Sequence, residues 1–349
     1  MQELSRRTFL AGAAALQAPV AAVRLPRKVR LGLVGTDGHP EEILGPLNRL
    51  PDVELVAAAQ VDLAVLGRAA PKRIYSDYRR MLDSEQLDIV AVCNNNGERA
   101  AAVIACAERK LNTIAEKPFA IELDELAKVK RVVTGSGIRI STLLPMRFSG
   151  PYLAMKQVVD SGEIGEVAQI AAQKSYKAGT RPEWYKHRST YGGTIAWIGI
   201  HMIDLMRWTS GREFTEAYST QARLGFPELG EMETVTATLF KLDNGGAATL
   251  RMDYFRPDNA PSHGDDRLRL AGPKGVVEYQ ASTGVTVLST GEKPRTITSL
   301  PRSRSVFIDF LESVYLGAKP GITPDEIWRV NEITLMARDS AEQQRIVKL

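Results

Sequence analysis

The feature that most constrains this chain is an early alternation of short apolar runs with helical patterns. Residues 29–34, 53–59, 88–93, 111–115 and 138–143 each read as a buried strand. A helix is expected to begin near Pro40, residues 100–108 are alanine-rich, and Leu123, Leu126, Val129, Val132 and Val133 recur at helical spacing. Strands separated by helices form a parallel sheet through right-handed crossovers, and such a sheet takes its ligands beyond the carboxyl ends of its strands.

Those ends carry the unusual residues. Gly35-Thr36-Asp37-Gly38 follows the first run, Gln60 the second, Asn94-Asn95-Asn96-Gly97 the third and Glu116-Lys117-Pro118 the fourth. Glycines let a backbone approach a pyrophosphate, a helix N-terminus adds partial positive charge, and amide side chains meet ribose and phosphate oxygens. Taken alone, the glycine turn is equally a tight strand-to-helix connection.

Past Pro151 the pattern changes to longer alternating strands near 166–176, 213–223, 233–242, 246–255, 267–270 and 284–288. Val235, Ala237 and Leu239, and again Leu250, Met252 and Tyr254, recur every second residue, so each set is expected to face a core. Turns such as Asp243-Asn244-Gly245-Gly246 suit antiparallel hairpins, and a last helical pattern covers 325–345. At 349 residues the chain exceeds what one core usually supports. The expectation is an α/β Rossmann domain with a parallel sheet over 29–145. An α+β domain over 146–349 would follow, with a large, mostly antiparallel open sheet and final helices that return to the first domain.

The 45 basic and 41 acidic residues are scattered without a run that could track a phosphate backbone, which argues against a nucleic-acid partner. Cys93 and Cys106 form neither a disulfide framework nor a metal-ligand spacing, and no metal is expected. Ser5-Arg6-Arg7-Thr8-Phe9-Leu10, followed by an alanine-rich stretch over 11–23, has the layout of a twin-arginine export signal. The stretch holds Gly12, Gln17 and Pro19 and falls short of the ~20 apolar residues of a membrane span, so no stable anchor is expected. Residues 1–28 are set aside as signal and linker, with cleavage near Ala22 and a periplasmic or extracellular destination.

Three segments in order resemble the Gfo/Idh/MocA oxidoreductases: the strand and turn over 31–38, Ala115-Glu116-Lys117-Pro118-Phe119, and Gly192-Gly193 through Gly199-Ile200-His201-Met202-Ile203-Asp204. Arg147-Phe148, Gly162-Glu163-Ile164-Gly165 and the segment over 265–272 add to the likeness. The resemblance implies NAD or NADP held by Gly35, Thr36, Asp37, Gly38, Gln60, Asn94, Asn95, Asn96, Glu116 and Lys117. It also implies hydride transfer at a secondary alcohol of a sugar, glycoside or cyclitol, with Lys117 and His201 handling the hydroxyl proton. Arg147, Tyr185, His187, Trp197, His201 and Asp204 are the expected substrate contacts, and the second sheet is expected to pair subunits.

Departures from the family pattern are explicit. Asp37 and Pro40 stand where glycines are usual, Gln60 where an acidic residue is usual, and Trp197 where an aspartate one helical turn before His201 is usual. Gly38 is then expected to make the close approach to pyrophosphate, and Asp204 to take over part of the aspartate's role. Two alternatives stay open: a redox-neutral glycosidase or lyase that oxidises its substrate transiently, and a binding relative without turnover.

Overall fold

The computed structural model describes residues 22–67 and 69–349; the Arg6-Arg7 segment lies outside the described residues. Strands β1 (Val29–Val34), β2 (Val53–Ala59), β3 (Arg73–Tyr75), β4 (Ile89–Val92), β5 (Asn112–Ala115) and β6 (Ile140–Thr142) form one parallel sheet in the order β3-β2-β1-β4-β5-β6. Its central strands are apolar without alternation because both faces are covered: all of β4 is buried, as are Leu31, Leu33 and Val34. The strand β3 is absent from the sequence reading, since its three residues lie at the sheet edge, two of them exposed. Strand order reverses between β1 and β4, which opens a crevice at their carboxyl ends. The helix after β1 covers only Glu41–Leu44 and tightens into a 3₁₀ turn over Gly45–Arg49, where Gly45 and Pro46 disfavour a continued α-helix.

The expected change at Pro151 falls inside a helix, Gly150–Asp160, whose first turn accommodates the proline. The second sheet follows. It contains β7 (Gln169–Lys177), β8 (Phe214–Ala222), β9 (Val235–Leu242), β10 (Ala247–Arg256), β11 (Gly264–Gly272), β12 (Gly275–Gln280), β13 (Gly284–Ser289), β14 (Arg295–Ile297) and β15 (Val347–Lys348). Their order is β14-β13-β12-β11-β7-β10-β9-β8-β15, antiparallel except for the parallel pair β7/β10. Leu250, Met252 and Tyr254 face the core as expected. In β9 the phase is opposite to the expectation: Thr236, Thr238, Phe240 and Leu242 are buried, whereas Ala237 and Leu239 face outward. Both faces of β9 carry apolar groups, so alternation alone does not fix which one is covered.

Helix Pro324–Gln343 begins at a capping box between Thr323 and Glu326 and joins the two sheets. Its Asn331 Oδ1 accepts from the Phe119 amide at 2.9 Å, its Arg338 guanidinium donates to the Ile121 and Gly192 carbonyls, and its Ser340 Oγ accepts from the Ser219 amide at 3.0 Å. Among the described residues no helix is long and apolar enough to cross a membrane.

Candidate active site

The residues after β1 and β4 meet at the crevice. Gly35 has φ +73°, and a Cβ there would lie 2.5 Å from Asn94 Cα, so only glycine lets the two strand ends come this close. The Asn94 side chain is buried, yet neither its amide nitrogen nor its oxygen has a hydrogen-bond partner among the described residues. An unmade hydrogen bond to a buried polar group costs about 1–3 kcal/mol, which fits a group awaiting a ligand such as a dinucleotide. Its neighbours are committed elsewhere: Asn95 caps the helix Asn96–Glu108, and Asn96 donates to the Tyr191 carbonyl at 2.6 Å and accepts from Arg99 at 2.7 Å. Thr36 Oγ1 accepts from the Asp62 amide at 2.8 Å, while Gln60 is exposed at the end of β2 with φ +56°. Burial raises the Asp37 carboxyl, with Arg99 acting against it.

Gly38 faces another way than expected. A Cβ on it would overlap the Glu116 carboxylate and come 3.0 Å from the Trp197 ring, so its glycine accommodates those side chains. Glu116 is fully buried; burial alone would raise its carboxyl, but His39, Lys117 and Arg99 outweigh it and hold the group at about 2. The His39 amide and Nδ1 lie 2.6 and 2.5 Å from Glu116 Oε1. Lys117, also fully buried, donates from Nζ to the Trp197 carbonyl at 2.9 Å with its ammonium 3.3 Å from the Trp197 ring centroid. Burial brings this ammonium down to about 7 against the pull of Glu116, with Arg99 and Lys174 adding to the fall. Both contacts from Trp197 favour the charged form and hold the side chain in one place.

Trp197 sits in a π-helical turn, Ile195–Gly199, that leads into helix Ile200–Ser210 and brings His201 to the same cavity. The His39 ring lies 5.8 Å from both the Trp197 and the His201 rings, so an imidazole from the turn after β1 packs against both. Burial, then Lys117, Lys174 and His39, keep His201 well below its usual range, and its Nδ1 is buried without a partner among the described residues. The cavity measures about 400 Å³ and is lined by Gly38, His39, Lys117, Tyr185, Trp197 and His201 together with Arg181, Tyr254, Asp266 and Tyr279. It is of a size for one monosaccharide-scale ligand, with aromatic walls and several polar groups.

Three expected substrate contacts lie elsewhere. Asp204 does not serve His201: both its oxygens accept from Arg147, at 3.1 Å to Nε and closely to Nη2. Arg147 also donates to Glu326 at 2.6 Å, and the arginine and Asp204 are buried, so this is an internal network holding helix Ile200–Ser210 to helix Pro324–Gln343. His187 points outward to Glu183 at 3.1 Å and is not part of the cavity wall. Tyr185, Trp197 and His201 are brought together. The sequence reading missed His39, Arg181 and Asp266 as cavity residues, although Arg181 adjoins the aromatic segment over 182–188 and Asp266 lies in one of the segments used for the likeness. It also missed Arg99, which is fully buried and donates to the Asn94, Lys117 and Pro118 carbonyls, fastening two strand ends.

A crevice at the strand reversal, an unpartnered amide within it and a lysine-bearing cavity beside it define a dinucleotide-dependent oxidoreductase architecture. Residues 29–143 match the family described as "Oxidoreductase family, NAD-binding Rossmann fold", and residues 152–278 match the Gfo/Idh/MocA C-terminal domain. An inferred oxidoreductase from Thermotoga maritima is 32% identical, covering 92% of this chain and 100% of its own, with a TM-score of 0.86. The chain belongs to the Gfo/Idh/MocA oxidoreductase family. A myo-inositol 2-dehydrogenase from the same organism is 24% identical over 92% of this chain and 97% of its own. Aldose-aldose oxidoreductase from Caulobacter crescentus shares the fold at 20% identity, covering 93% of this chain and 100% of its own, with a TM-score of 0.77.

Proposed function

We propose that this protein transfers hydride between a secondary alcohol of a sugar, glycoside or cyclitol and a nicotinamide dinucleotide. The observation that carries the reading is Lys117: fully buried, lining a sugar-sized cavity, with its ammonium brought to about 7. A bound dinucleotide would supply the hydride acceptor, with Asn94, Gly35 and Thr36 as the residues to hold it. Lys117 in its neutral form takes the hydroxyl proton as the C–H bond breaks, and a base near neutrality suits that task. His201, neutral and with Nδ1 free among the described residues, hydrogen-bonds the same oxygen. NAD is preferred to NADP in this reading, because Asp62 lies exposed two residues beyond Gln60 and would repel a 2′-phosphate. The inositol dehydrogenase likeness supports the substrate class.

The test is nicotinamide reduction by purified protein across a panel of sugars and cyclitols. Lys117→Ala is expected to lower turnover by roughly 10²–10⁴-fold while dinucleotide titration is unchanged. A panel without reduction, or a variant with normal turnover, overturns the reading.

A closed redox cycle is the second reading, and Trp197 favours it: its indole covers Lys117 and faces His39 on the cofactor turn. A dinucleotide held behind that ring would be restored by the same or a second substrate. Turnover after gel filtration, without added dinucleotide or net absorbance change, separates this cycle from an exchanging dehydrogenase. Export by the Arg6-Arg7 segment, checked by cell fractionation, remains part of the proposal. So does pairing of subunits through the outer sheet face around Tyr218 and Leu239, checked by sedimentation.

A further inference from the structure

The carboxylates at and beside the cavity are already matched with cations. Lys174 is fully buried and donates to Asp266 Oδ2 at 2.9 Å, and His39 lies on Glu116. Arg181 lines the same cavity and has no carboxylate within ion-pair distance among the described residues. Its guanidinium rests 5.4 and 5.0 Å from the Tyr185 and Tyr254 ring centroids, and these cation–ring contacts hold it at the wall. Nη2 donates to the Lys177 carbonyl at 2.7 Å and anchors the side chain, while Nε is buried without a hydrogen-bond partner among the described residues. A guanidinium offers five N–H donors in a planar fork, so a single contact leaves most of them undirected.

A neutral polyol would not supply the missing negative charge. We infer that Arg181 receives a carboxylate, so that the substrate is a sugar acid whose carboxylate lies at Arg181 and whose reacting alcohol lies at Lys117. This rests on the hydride-transfer reading of the site. Arg181 packs on Tyr185 and Tyr254 whereas Lys117 packs on Trp197, so the carboxylate and the reacting alcohol are received by different parts of the cavity wall. Asp266 lines the same cavity, and its Oδ1, buried and without a partner among the described residues, accepts a substrate hydroxyl. Asp266 does not repel the incoming anion as a lone carboxylate would, because Lys174 neutralises it from behind. A planar carboxylate matches the guanidinium fork at two points.

The experiment measures binding to NAD-loaded protein by calorimetry, using matched pairs: methyl glucoside with methyl glucuronide, galactose with galacturonate, and inositol as a neutral control. At least one acid is expected to bind about tenfold or more tighter than its neutral partner, the ratio usual for a charge-assisted contact. That preference should disappear in Arg181→Gln, return in part in Arg181→Lys, and shrink with added salt; thermal melting checks that the variants are folded. Equal affinity within every pair, a preference that survives Arg181→Gln, or retention of no acid at all overturns the assignment. Nicotinamide absorbance in the same samples keeps the two readings apart. An acid bound through Arg181 without reduction leaves the carboxylate site standing and removes hydride transfer. Reduction by neutral sugars with no gain for their acids does the reverse.

Discussion

Replacing Lys117 with methionine should lower turnover by roughly 10²–10⁴-fold and at the same time stabilise the protein at pH 6. The ammonium falls from an ordinary 10.5 to about 7 because it is fully buried. At about 1.4 kcal/mol per tenfold change, that corresponds to a cost on the order of 5 kcal/mol for holding the charged form in the folded state. Methionine removes this cost but leaves the Trp197 carbonyl without its donor, about 1–3 kcal/mol, and gives up the cation–ring contact, about 1–2 kcal/mol. A net gain of roughly 0–3 kcal/mol remains at pH 6. The sign with pH is fixed by proton counting. Between about 7 and 10.5 the unfolded chain holds a proton on Lys117 that the folded chain does not, so wild-type stability rises with pH over that window. The variant lacks this rise, and its advantage should shrink by up to about 1.4 kcal/mol per pH unit and then reverse. Urea unfolding of both proteins at pH 6, 8 and 9.5 measures it. A variant equally destabilised at all three, or one with near-normal turnover, refutes the reasoning.

Alcohol oxidation should accelerate as pH rises through about 7, because only the neutral Lys117 amine accepts the proton, and a pH–rate profile without that inflection removes it as the base. Asp204→Asn should cost about 3 kcal/mol in chemical denaturation by stranding the buried Arg147, with Glu326 limiting the loss, and should leave KM unchanged; a raised KM at full stability returns Asp204 to the substrate. Gly35→Ala forces a left-handed φ and a contact with Asn94, so fluorescence titration should show dinucleotide affinity falling about tenfold or more.

The strand ends that carry the site were legible because a sheet covered on both faces writes each strand as an apolar run, and the residue types that end those runs are conspicuous. Asn94, Lys117 and the glycine at 35 are where that argument places them. What escaped it depends on contacts far apart in sequence. The Asn94, Asn95 and Asn96 amides look alike in the sequence, yet one is unpartnered, one caps a helix and one ties Arg99 to Tyr191, distinctions set by residues up to 95 positions away. Asp204 follows His201 by three residues, but Arg147, 57 positions away, takes both its oxygens. The phase of β9 escaped because its outward face is also apolar, and β3 because three residues at the sheet edge, two of them exposed, carry no pattern.

The helix Pro324–Gln343 also sets a timetable. The Phe119 amide waits 212 residues for Asn331, and the Ile121 carbonyl 217 for Arg338, so the turn just after Lys117 is complete only once almost the whole chain has been made. A ribosome-bound intermediate can assemble the parallel sheet from its own local crossovers but not the finished cleft. Loss of the helix Pro324–Gln343 and the residues after it, which at first sight trims a terminus, would therefore unfasten the loop beside the reacting lysine and strip β15 from the edge of β8 in one stroke.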